Sequence, residues 1–435
     1  MKAVDRIHEY LRFGMVLGLE RMNALMAKLG DPQKELEVIH VAGTNGKGSV
    51  CRYVYEVLRA AGYHTGLYTS PYLEVFNERI EADGEFISDE ELENIADRVI
   101  AAADEMVAEG MESPTEFEIV TAVAFVFFRE KGCDFVVLEV GLGGRGDSTN
   151  IIEKPLCSII TSISLDHTDR LGETIPEIAA EKAGIIKQGC PVIVGAEDPD
   201  AKAVFRKRAN ELDAPLFDAA RVPVKTVRET LEGCSFNAEI LDREYRGVEI
   251  CMPGEHQVRN AVCALFAVTL LAEQGVLPEL TMREIKEGMK RARQIGRFEV
   301  LSRSPYVILD GAHNPAGAAA LKKTVLTHFR GKRILMVTGI LADKAVDDVL
   351  AEFREITDQF VATEPPNPRK LDAAELAEKL RGLGASCESV TELEEAVRLA
   401  ISEKDDWDLI LFTGSLYLIG ALRGDVIRLL RENQE

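Results

Sequence analysis

The stretch Val38-Ile39-His40-Val41-Ala42-Gly43-Thr44-Asn45-Gly46-Lys47-Gly48-Ser49 decides the fold, because a run of apolar residues ends there at a glycine-rich turn. Residues 50–59 then carry apolar side chains at helical spacing, so we predict a strand, a loop and a helix in succession. Glycines allow backbone N–H groups to approach phosphate oxygens, the amino end of a helix favours an anion, and Lys47 adds a positive charge. The segment therefore predicts a phosphate-binding loop.

The spacing within this loop differs from that of the common nucleotide-binding loop, which reads G-x-x-x-x-G-K-[ST]. Here Val41 stands at the position of the first glycine, and Gly48 separates Lys47 from the hydroxyl of Ser49. A chance cluster of glycine, lysine and serine is the alternative interpretation. The strand before the loop and the helix after it are the context that nucleotide binding requires, and they favour a functional loop.

The length, composition and charge of the chain limit its class. With 435 residues the chain is expected to form two domains, and its 46% hydrophobic and 29% charged residues are typical of a globular protein. The formal net charge of −22 would repel nucleic acid and anionic membrane surfaces, so we expect neither as a partner. A local group of N–H donors and cations still allows an anionic nucleotide to bind.

The cysteines and the absence of long apolar stretches point to a cellular location. The eight cysteines are scattered without a C-x-x-C pair, so we expect neither a disulfide framework nor a cysteine metal site. The first residues lack the apolar core of a signal peptide, and no stretch approaches the roughly 18 apolar residues typical of a membrane span. We therefore expect a cytoplasmic protein.

Apolar runs of strand length alternate with amphipathic helical stretches along most of the chain. This alternation is typical of a parallel sheet covered by helices on both faces, in which ligands bind at the carboxyl ends of the strands. The predicted strands are 36–42, 134–140, 157–164, 190–195, 306–312, 333–340, 359–363 and 408–413. The predicted helices are 49–61, 116–131, 174–187, 256–274, 315–329 and 371–382.

Two changes in this alternation predict the domain organisation. Residues 213–253 contain short alternating pieces typical of antiparallel strands, and near Gly296 a basic helix ends and a new series of strands and helices begins. The predicted fold class is α/β. We predict a domain over 1–296 with a parallel sheet like that of P-loop ATPases, and a smaller, Rossmann-like α/β domain over 297–435.

Several polar residues of the larger domain follow predicted strands. Glu139 stands near a strand end, where a carboxylate is costly unless it is paired or binds a metal; the alternative is a glutamate bonded to loop amides. His167 also follows a strand, but a lone histidine there is more often structural, and magnesium prefers oxygen ligands. Ser70, in a Ser-Pro turn, and Lys182, on a helix, are uninformative by themselves.

The smaller domain carries a second set of such residues. Asp310 and His313 lie at the end of a predicted strand, and Pro315 opens the next helix. Ser415 lies in a Gly-Ser pair after the last strand, where it either caps a helix or binds a carboxylate. Arg297 is either an ordinary linker arginine or a ligand for phosphate.

These segments together resemble the Mur-type ATP-dependent ligases, and more closely the folylpolyglutamate synthase and dihydrofolate synthase family. The resemblance extends in the same order from Leu17-Gly18-Leu19-Glu20-Arg21 to Gly414-Ser415-Leu416-Tyr417. The segment Gly43–Ser49 resembles the phosphate loop of that family, including its extra residue.

The resemblance implies a role for each residue that matches a motif of the family. The residues implied to bind ATP are Thr44, Asn45, Gly46, Lys47, Gly48, Ser49, Asn260, Arg297 and Asp310. Those implied to hold magnesium, as two ions, are Ser70, Glu139 and His167. Those implied to line the pocket of the folate or dihydropteroate acceptor are Val16, Leu17, Gly18, Thr115, Glu116, Phe117, Glu118, Gly146, Asp147 and Ser148. His313 and Ser415 match positions near the incoming L-glutamate, and Lys182 matches a lysine that is carbamylated. The residues implied to take part in catalysis are Lys47, His167, Lys182 and His313.

The chain also departs from the family's pattern. Tyr72 stands where a histidine is common, and Ile295 stands where a proline often precedes the Gly-Arg pair. Gly146 replaces a larger residue, and Ser148 stands where the dihydrofolate-forming enzymes often have alanine. The last two departures concern the acceptor and not ATP.

The reaction implied by the resemblance converts the carboxylate of the acceptor to an acyl phosphate, which the amine of L-glutamate then attacks. Closure of the second domain would complete the site and exclude water. One alternative is a Mur-type ligase that acts on a UDP-muramyl cell-wall precursor. Another is a P-loop kinase, GTPase or switch ATPase, which the Lys-Gly-Ser spacing disfavours. We expect a monomer.

Overall fold

The computed structural model describes residues 2–14 and 16–432, which divide into two compact units. Unit 1 comprises Met1–Val227, Ser235–Ile250 and Arg259–Ala292. Unit 2 comprises Arg228–Cys234, Cys251–Val258 and Arg293–Glu435. The division into functional domains at residues 296 and 297 stays a prediction.

Unit 1 contains a sheet of eight strands. These are β1 (Val38–Ala42), β2 (Thr65–Tyr68), β3 (Ile80–Ala82), β4 (Glu85–Phe86), β5 (Phe135–Glu139), β6 (Cys157–Ile160), β7 (Val192–Val194) and β8 (Leu216–Asp218). Their order is β4-β3-β2-β5-β1-β6-β7-β8, and all neighbours are parallel except at the β4-β3-β2 edge. Every residue of β1, β5 and β6 is buried, as expected for strands covered on both faces.

Helices cover this sheet and bring its central strands into two apolar cores. The helices are α1 (Ala3–His8), α2 (Glu20–Lys28), α3 (Lys47–Ala60), α4 (Asp89–Ala108), α5 (Glu116–Lys131), α6 (Thr168–Leu171), α7 (Ile175–Lys182), α8 (Pro199–Glu211), α9 (Glu255–Glu273) and α10 (Met282–Arg291). The two cores hold the carboxyl ends of β1, β2, β5 and β6 side by side, and the loops that leave these ends carry the predicted site residues.

A second, three-stranded sheet lies in the region where the alternation of strands and helices is interrupted. Its strands are β9 (Val224–Thr230), β10 (Gly233–Ile240) and β11 (Arg243–Ile250), in the order β11-β10-β9. Two-residue connections join antiparallel neighbours, so this sheet agrees with the predicted antiparallel region over 224–250. The start of the region predicted over 213–253 differs, because β8 is a parallel strand of the larger sheet.

Unit 2 contains a sheet of six strands. These are β12 (Glu299–Arg303), β13 (Tyr306–Leu309), β14 (Ile334–Thr338), β15 (Gln359–Ala362), β16 (Ser386–Ser389) and β17 (Leu409–Thr413). Their order is β12-β13-β17-β14-β15-β16, with only the β12-β13 pair antiparallel. The helices are α11 (Pro315–Phe329), α12 (Val346–Arg354), α13 (Ala373–Gly382), α14 (Leu393–Ser402) and α15 (Leu416–Glu432).

The predicted fold class is confirmed. Both units are α/β structures with largely parallel sheets, and the larger one carries the glycine-rich loop between its central strand β1 and the helix α3. Among the residues described, no helix combines the length and the apolar character needed to cross a membrane.

Candidate functional site

The glycine-rich loop connects the carboxyl end of β1 to the amino end of α3, and the side chain of Lys47 lies over it. The Lys47 ammonium donates hydrogen bonds to the carbonyl oxygens of Gly43, at 3.1 Å, and of Thr44, at 3.2 Å. The N–H of Thr44 donates to the carbonyl of Ser162 at 2.8 Å, which ties the loop to the segment after β6. Gly46 has a φ of 87°, a conformation that favours glycine, and α3 begins directly after it. This is the arrangement expected of a phosphate-binding loop.

Asn260, predicted to bind ATP, lies directly against this loop. A Cβ added to Gly46 would be 2.3 Å from the Asn260 side-chain oxygen, so the two residues are in close contact. The loop is fixed further by Thr161, whose hydroxyl donates to the carbonyl of Asn45 at 2.7 Å. The structure therefore brings together the predicted phosphate-binding residues of unit 1.

Lys182, the last residue of α7, reaches the same loop from another part of the chain. Its side chain is buried, and its ammonium donates to the Gly43 carbonyl at 3.0 Å, so Lys47 and Lys182 share one acceptor. Burial, with a further contribution from the charge of Lys47, lowers the pKa of Lys182 to about 7. Lys182 is thus a buried lysine. Its position on a helix would, by itself, have suggested a lysine on the protein surface.

Ser70 and Glu139 meet at the ends of the neighbouring strands β2 and β5. Glu139 is only 4% exposed, and its carboxylate accepts a hydrogen bond from the N–H of Ser70 at 3.1 Å. His167 lies after β6 in the left-handed region, with a φ of 51°, and its N–H donates to the Asp166 carboxylate at 2.9 Å. The structure thus pairs Ser70 with Glu139, and it pairs His167 with Asp166.

No group of three or more histidine, cysteine, aspartate or glutamate side chains in residues 2–14 and 16–432 is arranged to hold a metal ion. The Ser70 and Glu139 oxygens are nevertheless the kind of donor that magnesium prefers. Asp166 was not singled out in the sequence. It is a largely buried carboxylate next to a predicted ligand, and its position in the segment that follows the apolar run over 157–164 was the available signal.

The segments predicted to line the acceptor pocket are brought together in unit 1. The N–H of Gly18 donates to the carbonyl of Gly146 at 3.0 Å. The Arg21 guanidinium donates to the Val16 carbonyl at 2.8 Å and to the Glu118 carboxylate at 3.1 Å, so it joins the first segment to the start of α5. Val16 and Leu17 themselves remain substantially exposed. In the sequence, Arg21 appeared only as part of a motif. Its contacts with both Val16 and Glu118 arise from the fold and were not predicted.

The polar side chains of this pocket are largely engaged within the protein. Glu118 accepts from the N–H of Thr115 at 2.7 Å and caps α5, and Glu116 accepts from Arg79 at 3.0 Å. The Asp147 carboxylate is buried and accepts from the N–H groups of Leu142 and Thr149, at 2.8 and 3.0 Å.

Three other features complete the acceptor side. Burial raises the pKa of Asp147. The ring of Phe117 lies 6.1 Å from that of Tyr68 and close to Gly141, and Ser148 is buried. These contacts place Phe117 against the end of β2 and the loop after β5.

The site residues predicted in the smaller domain cluster around Gly311 in unit 2. The Asp310 carboxylate accepts from the N–H groups of Phe298 and Ala312, each at 2.9 Å, and desolvation raises its pKa while Arg297 opposes the shift. His313 Nδ1 lies 2.8 Å from the Gly311 carbonyl, so Nδ1 carries the proton that it donates.

Arg297 and Ser415 complete this cluster. A Cβ added to Gly311 would be 3.0 Å from the Arg297 guanidinium. The Ser415 hydroxyl accepts from the N–H of Tyr417 at 3.2 Å and caps α15. The structure therefore brings Arg297, Asp310 and His313 together, with Ser415 on the neighbouring strand end, because β13 and β17 are adjacent.

Comparison with known proteins gives the class of this fold and site. Residues 41–268 match the family model of the Mur ligase middle domain, and residues 296–416 match that of the Mur ligase glutamate ligase domain. The chain is 37% identical to the dihydrofolate synthase/folylpolyglutamate synthase of Bacillus subtilis over 96% of both chains. It is 36% identical to the folylpolyglutamate synthase of Lacticaseibacillus casei over 97% of both chains.

Solved structures agree with these relatives. The folylpolyglutamate synthase of Mycobacterium tuberculosis, complexed with ADP and AMPPCP, superimposes with a TM-score of 0.88 at 33% identity, covering 97% of this chain and 98% of that one. FolC of E. coli, in complex with DHPP and ADP, superimposes with a TM-score of 0.86 at 30% identity, covering 100% and 99%. The chain belongs to the folylpolyglutamate synthase and dihydrofolate synthase family of Mur ligases.

Family membership confirms the resemblance seen in the sequence and the class of enzyme, an ATP-dependent ligase. The alternative of a ligase for UDP-muramyl precursors is not favoured. The roles of the individual site residues stay predictions.

Proposed function

We propose that this enzyme adds L-glutamate to tetrahydrofolates, which extends their polyglutamate tail, and also to 7,8-dihydropteroate. One observation carries the proposal: the carboxyl end of α7 contacts both the phosphate loop and the loop over 141–148. Lys182 donates to Gly43, and the adjacent Glu181 carbonyl accepts from the N–H of Arg145 at 2.8 Å. A phosphate on the first loop and an acceptor carboxylate beside the second would therefore lie close together.

The chemistry follows from the poor reactivity of a carboxylate toward an amine. The γ-phosphoryl group of ATP is transferred to an oxygen of the acceptor carboxylate, which gives an acyl phosphate and ADP. The α-amine of L-glutamate then attacks the acyl carbon, and the C–O bond to phosphate breaks, which leaves an amide and inorganic phosphate. Lys47 and the N–H groups at the start of α3 stabilise the charge that develops on the transferred phosphoryl group.

Ser70, Glu139 and His167 would hold magnesium. The resemblance to the family implies a second magnesium ion as well. The donor set fits the metal, because a serine hydroxyl and a buried carboxylate are hard oxygen ligands at one edge of the sheet. Magnesium, when bound, neutralises the charge of phosphate oxygens.

Carbamylation of Lys182 fits its surroundings. With a pKa of about 7, a large fraction of this amine is unprotonated near neutral pH, and an unprotonated amine adds to CO₂. The carbamate would replace a buried positive charge next to Lys47 with a negative one. It would therefore remove the repulsion between the two lysines.

By the family's motifs, Asn260, Arg297 and Asp310 would bind ATP, and His313 and Ser415 would lie near the incoming glutamate. Because His313 Nδ1 donates to Gly311, a neutral His313 carries its lone pair on Nε2. That atom would accept the proton that the attacking amine releases. A monomeric state and a cytoplasmic location stay predictions.

The experiment that tests the proposal measures ADP release that depends on L-glutamate, with three acceptors side by side. We expect release with tetrahydrofolate and with 7,8-dihydropteroate, and none with a UDP-muramyl acceptor. Release with the UDP-muramyl acceptor alone would refute the proposal. Release with tetrahydrofolate but not dihydropteroate would restrict it to polyglutamylation.

Substitutions at two glycines distinguish an effect on the phosphate loop from the effect of backbone strain alone. Gly46 and Gly62 have φ values of 87° and 86°, but an added Cβ meets Asn260 at Gly46 and nothing within 4 Å at Gly62. Gly62→Ala should therefore cost about 1–2 kcal/mol of stability with unchanged ADP affinity. Gly46→Ala should cost more and weaken ADP binding at least about tenfold, measured by calorimetry. Equal ADP affinity in the two variants would contradict the assigned role of the loop.

A further inference from the structure

His40 is a fully buried histidine in the middle of β1, the strand that leads into the phosphate loop. Its Nε2 lies 2.9 Å from the hydroxyl of Thr149, and that hydroxyl lies 2.5 Å from the carboxylate of Asp147. Thr149 is also fully buried, and Asp147 is 2% exposed. The three side chains therefore form a continuous, water-excluded chain of hydrogen bonds between β1 and the loop over 141–148.

The protons in this chain have a definite arrangement. The Asp147 carboxylate accepts from the N–H groups of Leu142 and Thr149, which favours its ionised form, and an ionised carboxylate only accepts, so the single hydrogen of the Thr149 hydroxyl is donated to it. His40 must therefore donate its Nε2 hydrogen to Thr149. Burial, with a contribution from Lys187, lowers the pKa of His40 to about 3, so the imidazole is neutral. Within the described residues its Nδ1 has no hydrogen-bond partner, which is the cost of keeping a histidine here.

Asp147 transmits this contact to the acceptor side. It accepts from Leu142 and Thr149, so it closes the loop on itself. The residue before it in the loop, Gly146, accepts from the N–H of Gly18 in the first acceptor segment. A displacement of Asp147 would therefore move the backbone of both segments.

We propose that His40 is a positioning residue, which through Thr149 and Asp147 holds the acceptor loop in register with the strand that carries the phosphate loop. The inference rests on the proposed function, because it assigns the loop over 141–148 to the acceptor. A misplacement of about 1 Å between reacting groups can cost about a hundredfold in rate. Loss of the chain should therefore impair use of the acceptor and leave nucleotide binding intact.

The test compares substitutions that break the chain with substitutions that preserve it. Thr149→Val and His40→Leu remove the hydroxyl and the donor, whereas Thr149→Ser and His40→Gln keep them. Thr65→Val is the matched control, since Thr65 is also fully buried and its hydroxyl donates only to Tyr63, at 3.0 Å, among the hydrogen bonds described. For each variant, kcat and KM are measured for 7,8-dihydropteroate and tetrahydrofolate, and the Kd of AMPPCP is measured by calorimetry.

We expect Thr149→Val and His40→Leu to lower kcat/KM for the acceptor about ten- to a hundredfold, with the Kd of AMPPCP within about twofold of wild type. Thr149→Ser and His40→Gln should recover most of this loss, and Thr65→Val should change neither quantity. If Thr149→Val lowers only the melting temperature, as Thr65→Val does, the chain is merely structural and the proposal is wrong.

A readout that does not depend on turnover keeps the inference separate from the proposed function. The ¹⁵N resonances of the imidazole at pH 7 should show the neutral Nε2–H tautomer, with His40→Gln used to assign the signal. An Nδ1–H tautomer or a charged ring would overturn the inference even if every variant were poorly folded. Absence of ADP release by the wild type with either pterin would instead refute the proposed function.

Discussion

Replacing Lys47 with alanine is expected to lower kcat by about a thousandfold while the protein remains folded. Loss of a single preorganised donor at developing charge costs about a hundred- to a thousandfold, and a lysine contributes a full charge. In the structure the Lys47 ammonium binds only loop carbonyls, among the hydrogen bonds described, so its removal leaves the apolar core of unit 1 unchanged. The measurement is glutamate-dependent ADP release at saturating substrate, together with thermal unfolding by circular dichroism.

Two further substitutions serve as controls for Lys47→Ala. Lys154→Ala removes an exposed lysine from the loop before β6 and should leave kcat unchanged. Lys47→Arg keeps the charge but not the compact ammonium, and should give intermediate activity. A Lys47→Ala enzyme within tenfold of wild type would show that the loop does not act on the transferred phosphoryl group.

Replacing Lys182 with methionine is expected to have an effect of similar size, about a thousandfold in kcat, if its carbamate organises the phosphate site. Methionine matches the length and burial of the side chain but cannot react with CO₂. Addition of formate or acetate should restore part of the activity, because a small carboxylate can occupy the space of the lost carbamate. Full activity of Lys182→Met without any addition would contradict the assignment.

The pH dependence of carbamylation follows from the pKa of Lys182. Burial lowers this pKa from 10.5 to about 7, so the unprotonated amine that reacts with CO₂ becomes scarce as the pH falls through 7. The carbamate signal from protein exposed to ¹³CO₂ should therefore decline from about pH 8 to about pH 6 in ¹³C NMR spectra. Lys182→Met identifies the signal, and a carbamate that persists unchanged at pH 6 would contradict the expectation.

The lowered pKa of Lys182 also makes the stability of the unmodified protein depend on pH. The direction of this dependence is opposite to that for a lysine whose pKa is raised by an ion pair. Between pH 7 and 10.5 the unfolded chain binds a proton at Lys182 that the folded chain does not. The free energy of unfolding therefore rises with pH across this window, and below pH 7 the contribution is constant.

The sequence predicts the phosphate loop because its signals are local. A buried strand, a glycine at positive φ and a lysine at the start of a helix occupy ten consecutive residues, and the structure realises each of them. Glu139 and Asp310 were predicted for the same reason, since each follows an apolar run. In parallel sheets the strand ends meet at one edge, so position along the chain indicates position in space.

The contacts that the sequence could not predict join distant segments. Lys182 reaches a carbonyl 139 residues earlier, Arg21 reaches Glu118 across 97 residues, and His40 reaches Thr149 across 109. On its own helix Lys182 has no feature that separates it from a solvated lysine. Such contacts depend on the packing of complete elements, so the pattern of any single segment does not contain them.

The glycine inserted between Lys47 and Ser49 has a consequence for where a metal finds its hydroxyl ligand. In the common loop the residue after the lysine supplies a hydroxyl to magnesium. One additional residue in a helix rotates a side chain by about 100° and advances it about 1.5 Å, and here the Ser49 side chain is only 3% exposed. Ser49 is thus a buried residue in the first turn of α3. In the proposed site the hydroxyl ligand is instead Ser70, in the loop after β2, which is the next strand but one from β1 in the sheet, so the ligand would come from a separate loop and not from the helix.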